Sequence, residues 1–301
     1  SIYISSFDSS PLAASTFVTL DGRLAEFQLG INALAKLAGD GGVHLGIRSS
    51  DTTLAGVENC RVTYYEGPHP SGNVGVQIHH TAPLNKGEVV WTIGPQDVAN
   101  LGALLTTGKY IPTRVVACGG SECNKPQHVL TLSGAPISSI VDVPLKANNG
   151  DEVRVISGSP LTGDQVSKDG YIGAYHSAIA LLPEGHDPKF LLTTGWLGLG
   201  LGRFSLSQSF LTWLMPKSKE WVLDTNMGGE ERAFVVTGQY EKVFPMDIYP
   251  VHLIKSIIVN DIDSMEKLGI YEVAPEDFAL CEYGCTSKIP VQKIVREGLD
   301  N

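Results

Sequence analysis

Leu24, Phe27, Ile31, Leu34, Ala35 and Ala38 recur at helical spacing until Gly39 stops the run, which predicts one amphipathic helix over 24–38. Around it, residues 43–48 and 61–66 read as strands. A third strand over 89–93 leads through Gly94 and Pro95 into a helix over 96–107, and 114–117 reads as a fourth. Strands interleaved with helices in this way imply a mostly parallel sheet covered on its faces, because parallel neighbours need a crossover connection. Residues 1–124 are therefore expected to form a Rossmann-like α/β domain.

Beyond it the period changes. Residues 129–132, 140–145, 152–156 and 171–182 are strand-like runs, separated by Ser133-Gly134, Asn149-Gly150 and Thr162-Gly163-Asp164, so 125–190 is expected to be a small β-grasp domain. The remainder, 191–301, reads as a linker followed by a helical domain. Pro250 stands at a first helical position before Leu253, Ile254, Ile257 and Ile258; Asp263 with Glu266 suggests a capping box, with Gly269 as the stop. Pro275 opens a further helix with Glu276 and Asp277 in its first turn, and another covers 290–296. The apolar stretch 196–215 carries Arg203, Gln208 and three glycines, which argues against a membrane span. From Ser205 onward, Leu206, Phe210, Trp213 and Leu214 suggest a short amphipathic helix.

Acidic residues outnumber basic ones 32 to 22 in this chain of 301, and the net charge of −10 repels a phosphate backbone, so nucleic acid is excluded as a partner. Charged residues make up 18%, below the usual roughly 25%, which implies that part of the surface is covered by something else. Five cysteines in no dense framework suit a reducing compartment. Cys281 and Cys285 supply only two of the four thiolates an iron–sulfur cluster needs, and Cys118 with Cys123 lies in another expected domain. The cysteines are read as small buried hydrophobes, with no metal site.

Histidine is concentrated at His69, His79 and His80, around the loop Gly67-Pro68-His69-Pro70-Ser71-Gly72. Two prolines and two glycines directly after a strand make a stiff, sharply turned loop where an α/β sheet binds ligands. Gly67, Pro68, His69, Pro70 and Gly72 are the candidate ligand-binding residues. His176, between Tyr175 and Ser177, is expected on a strand. Gly198-x-Gly200-x-Gly202 lacks the spacing of a dinucleotide fingerprint, and there is no P-loop, nucleophile elbow or zinc-protease motif, so no catalytic residue is assigned.

Seven ungapped segments carry a resemblance: Phe7-Asp8-Ser9-Ser10-Pro11-Leu12, the loop Gly67 to Gly72, Val90-Trp91-Thr92-Ile93, Arg154-Val155-Ile156-Ser157-Gly158-Ser159, Arg232-Ala233-Phe234-Val235, Gly238-Gln239-Tyr240-Glu241-Lys242-Val243 and Glu276-Asp277-Phe278-Ala279-Leu280-Cys281. Together they resemble the NqrA family, one of the component chains of the bacterial sodium-translocating NADH:quinone oxidoreductase, along nearly the whole sequence. The resemblance implies a peripheral subunit on the cytoplasmic face of the inner membrane, in a six-subunit complex that oxidises NADH, reduces ubiquinone and exports sodium. It implies a fold like the flavoprotein subunit of respiratory complex I with an SLBB-like β-grasp domain, but with the FMN site lost and the NADH, flavin and iron–sulfur sites in other subunits. Ubiquinone and the membrane subunits are the implied ligand and partners, and a β-rich domain is expected to precede Ser1. The alternative is an FMN-binding NADH oxidoreductase subunit that retains the cofactor site.

Overall fold

The computed structural model describes residues 1–148, 150–186, 210–216, 218–235 and 238–301. Four parallel strands, β1 (Ile2–Ser5), β2 (Val43–Arg48), β3 (Arg61–Tyr65) and β4 (Trp91–Thr92), form the first sheet in the order β3-β2-β1-β4. The helices of this half are α1 (Thr16–Thr19), α2 (Leu24–Ala38), α3 (Val74–Thr81) and α4 (Pro95–Thr107). Side chains alternate across a strand, and β2 shows the consequence: Leu45 and Ile47 enter the core with Phe27 and Ile31 of α2 and Val98 of α4, while Gly46 faces the other way against Gln77 of α3. So α2 and α4 cover one face and α3 the other.

The α2–α4 crossing is close because glycines face backbone. A Cβ on Gly30 would lie 2.1 Å from the Val98 carbonyl oxygen, and one on Gly102 would lie 1.8 Å from that of Glu26. Gly102→Ala should lower stability in urea by about 1–3 kcal/mol as the helices part. An unchanged midpoint would show that the crossing has room.

Residues 114–117, expected in this first sheet, belong instead to the second, as part of β5 (Thr113–Gly119). With β6 (Gln127–Leu132), β7 (Val153–Ser157), β8 (Asp164–Val166) and β9 (Ala178–Pro183), β5 makes a five-stranded sheet in the order β6-β5-β9-β7-β8. Only the β5–β9 pair is parallel. Side-chain amides sew the sheet to α4. Gln96 donates to the Val115 carbonyl at 3.0 Å and accepts from the Val115 N–H at 2.7 Å, and Asn100 donates to the Thr113 carbonyl at 3.0 Å. These bonds satisfy backbone groups that no neighbouring strand reaches.

Residues 140–145 form no strand. Ile137, Ile140 and Val141 fill the second core from a 3₁₀ turn (Ile137–Ser139) and the irregular chain after it, since an apolar run without a clear period can serve either way. The strand expected over 171–182 shortens to β9, because the chain turns at Gly173. His176 lies in that turn, its Nδ1 2.8 Å from Ser157 Oγ.

In the last third, α5 (Pro250–Ile258), α6 (Ile262–Lys267), α7 (Ala279–Gly284) and α8 (Val291–Asp300) surround Leu253, Ile254, Phe278, Val291 and Val295. Ile258, expected on the buried face of α5, is 52% exposed. The cap of α6 is Asp261, which accepts from the Ser264 N–H at 3.1 Å, and not Asp263. With the cap at Asp261 the third helical position is Ser264, so Glu266 closes no capping box and serves Lys86 and Tyr271 instead. Cys118, Cys123, Cys281 and Cys285 are buried, as small apolar residues would be. Of the amphipathic helix expected from Ser205, residues 205–209 lie outside the described residues; the rest is one 3₁₀ turn, Leu211–Leu214, with Trp213 exposed. Among the described residues no helix is long and apolar enough to cross a membrane.

Candidate ligand site

The loop from Gly67 to Gly72 is pinned to the chain that leaves β1. Ser5 Oγ donates to the Gly72 carbonyl at 2.8 Å, and the Gly72 N–H donates to Ser9 Oγ at 2.8 Å. Ser9 Oγ lies 3.1 Å from His69 Nδ1. The ring is tied to Ser9 through Nδ1, and Nε2 is its other nitrogen. That Nε2 is buried with no partner among the described residues, and burial holds the His69 pKa below its ordinary value, opposed by nearby Asp8.

His79 and His80 do not join His69. They sit on α3 and grip the last third of the chain: His79 Nδ1 is 2.8 Å from Glu272 Oε2, its Nε2 accepts from the Asp247 N–H at 3.0 Å, and His80 Nε2 lies 2.8 Å from the Pro245 carbonyl. The three histidines are near in sequence because one loop runs into one helix, but the helix turns the last two away from the loop.

A cavity of about 1200 Å³ lies beside this loop rather than inside it. The chain runs from β1 outward through β2 to β3, then returns to place β4 on the other side of β1, so the connections diverge between β1 and β4. In open parallel sheets the crevice beyond such a point is where ligands bind. Its polar part is lined by Ser5 at the end of β1, Ser6 and Asp8 after it, Gly94, Gln96 and Asp97 at the start of α4, Arg114 of β5, and Tyr175 and Ser177 before β9; from there it runs past β4 to the amino end of the sheet, where Leu37, Val89, Trp91 and Tyr110 form an apolar margin. Of Gly67, Pro68, His69, Pro70 and Gly72, only Gly72 lines it. Two signals in the sequence mark the site: the polar run Ser5-Ser6-Phe7-Asp8-Ser9-Ser10, and Gly94-Pro95 opening a helix.

Arg114 crosses the seam. It is 4% exposed, and its Nη2 donates at 2.9 Å to Asp97 Oδ1 and at 2.9 Å to the Ala174 carbonyl, while its Nε has no partner among the described residues. The pair is a charge-assisted contact in a nearly dry place, where losing one partner is far more damaging than at the surface.

A family profile described as the NqrA second alpha/beta domain matches residues 1–110, and one described as the NQRA C-terminal domain, of SLBB type, matches 115–168. The chain belongs to the NqrA family. It is 38% identical to the NqrA component of the Na(+)-translocating NADH-quinone reductase of Serratia proteamaculans, over 99% of its own length and 65% of that relative's. It is 36% identical to the counterpart from Rhodopirellula baltica, over 99% of its length and 64% of the relative's. The chain thus spans less than two thirds of these NqrA relatives. Its likeness to a chain of a solved NAD+-reducing [NiFe]-hydrogenase is slight, with a TM-score of 0.46 and 11% identity over 100% of this chain and 54% of that one.

Proposed function

We propose that this chain serves as the NqrA component of a sodium-translocating NADH–quinone reductase, and that the crevice beyond β1 and β4 receives the headgroup of ubiquinone. The relatives' shared name over 99% of the chain is the observation that carries the first part. The second rests on the cavity: its volume of about 1200 Å³ exceeds what a quinone ring needs, and apolar Leu37, Val89 and Trp91 lead into polar walls at Ser5 and Ser6. In this reading Gly67, Pro68, His69 and Pro70 brace the wall that Gly72 supplies. The first half is Rossmann-like, the second sheet β-grasp, and the last third a helical domain, with the seam just before Thr113 rather than at residue 124.

The protein supplies no flavin or iron–sulfur cluster in this reading, and it sits at the cytoplasmic face of the membrane against the membrane subunits. Exposed Leu105, Tyr110, Ile111, Leu130 and Leu132 favour a covered surface, in keeping with the low charge content. A photoreactive ubiquinone analogue, applied to the assembled complex, should label peptides spanning 67–74 and 89–97 of this chain. Label confined to other subunits would remove quinone from this reading.

A further inference from the structure

The start of a helix at the divergence point of a parallel sheet is where other α/β proteins seat a phosphate, because first-turn N–H groups and the positive end of the helix dipole converge there. In this chain α4 has thirteen residues and begins at that point, with Gly94 before it and Pro95 at its first position. That seat carries a negative charge of its own, and the Asp97 and Val98 N–H groups there already donate to the Gly94 carbonyl. Asp97 stands in the first turn and folds back, so that its Oδ2 lies 3.3 Å from where a Cβ on Gly94 would be, and its Oδ1 takes the Arg114 guanidinium at 2.9 Å. Arg114 and Asp97 both line the cavity, and Arg114 keeps an unpartnered Nε while buried to 4% exposure.

We propose that the Asp97 carboxylate is a built-in substitute for a ligand phosphate, and that the Asp97–Arg114 pair sets the specificity of the cavity: uncharged ligands with an apolar ring enter, and phosphate-bearing ones such as FMN or a nicotinamide dinucleotide are rejected. This rests on the reading of the crevice as the ligand site. An arriving phosphate meets a carboxylate at the helix start, an exposed second carboxylate, Asp8, lining the same cavity, and a guanidinium already engaged. Two carboxylates lining one cavity weigh against binding a third negative group there. A quinone carries no charge and meets none of this opposition.

Asp97→Asn converts the substitute into a neutral group and frees Arg114, so the variant should bind FMN and inorganic phosphate at least about tenfold more tightly than the parent chain, read by flavin fluorescence quenching and calorimetry. Riboflavin, which lacks the phosphate, should show no such gain. The double change Asp97→Asn with Arg114→Met removes the cation as well and should lose the acquired FMN affinity. It also leaves no unpaired buried charge, so it is the variant that tests folding.

If the single variant is folded and gains neither FMN nor phosphate while the parent still binds the quinone, the specificity proposal is overturned and the quinone reading stands. If the parent and variants all ignore the quinone but the single variant gains FMN, the quinone reading fails and the anion-seat proposal survives. An equal gain for riboflavin and FMN would mean that the carboxylate excludes the ring and not the phosphate, which also overturns the proposal.

Discussion

Gly72→Val should unfold the crevice wall and cost at least about 3 kcal/mol of stability, with loss of any ligand the cavity holds. A Cβ on Gly72 would stand 2.1 Å from the Phe7 carbonyl oxygen, 2.6 Å from the Ser9 nitrogen and 2.7 Å from Ser9 Oγ. The nearest atoms are backbone, so no rotamer change relieves the clash. The loop would have to lift, which breaks the Ser5 and Ser9 hydrogen bonds that hold it to the chain leaving β1. Those bonds are part-buried, and their unpaired groups would add to the loss. Gly56→Ala is the control: nothing lies within 4 Å of a Cβ there, so its effect should stay within about 0.5 kcal/mol. Urea unfolding of both variants decides the matter, and similar midpoints would show that the wall is soft.

The elements legible in the sequence are those with one buried face. Helix α2 matches its expected range because Phe27, Ile31 and Leu34 point into a single core while the opposite face meets solvent. Strand β2 is legible because Val43, Leu45 and Ile47 alternate with His44, Gly46 and Arg48, the period of a strand with one apolar face. Helix α3 is not, and the reason is physical. Its Gln77 packs on β2 and its Val76 joins the core of the last third, so both sides are covered and the amphipathic period vanishes. Strand β1 escapes notice because it offers four residues with two polar-tipped side chains, Tyr3 and Ser5, and its role as the sheet centre depends on neighbours found about forty and ninety residues later.

The candidate site is half legible for a related reason. A stiff loop can be read locally from its prolines and glycines, and the loop does abut the crevice. The crevice itself joins the end of β1, the start of α4 and Arg114 of the second sheet, which no local pattern connects. Arg114 reads as an ordinary strand residue, yet together with Gln96 and Asn100 it ties the second sheet to α4 beside the cavity, through Asp97.

On the far side of α3, one carboxylate should make the grip on the crevice wall depend on pH. Asp277 is 1% exposed; its Oδ2 accepts from the Ala274 N–H at 3.0 Å and its Oδ1 from Asn73 Nδ2 at 3.0 Å. Burial outweighs these two hydrogen bonds and pushes its pKa from 3.8 up to about 6. Below the lower value the folded and unfolded chains both hold the proton, and the fold has its full advantage. Between the two values only the folded chain keeps it, so stability falls as pH rises, and above about 6 the loss is complete. A gap of this size corresponds to about 3 kcal/mol. Asp277→Asn retains an acceptor for the Ala274 N–H but cannot ionise. The stability of the parent relative to the variant should therefore drop by about 3 kcal/mol between pH 3 and pH 7 in urea unfolding, whereas a constant difference would show that Asp277 titrates normally. Because Asn73 directly follows Gly72, the proton on Asp277 acts on the same stretch of chain that the Gly72→Val substitution dislodges: acid should tighten the junction between the crevice wall and the helices behind it, and neutral pH should loosen it.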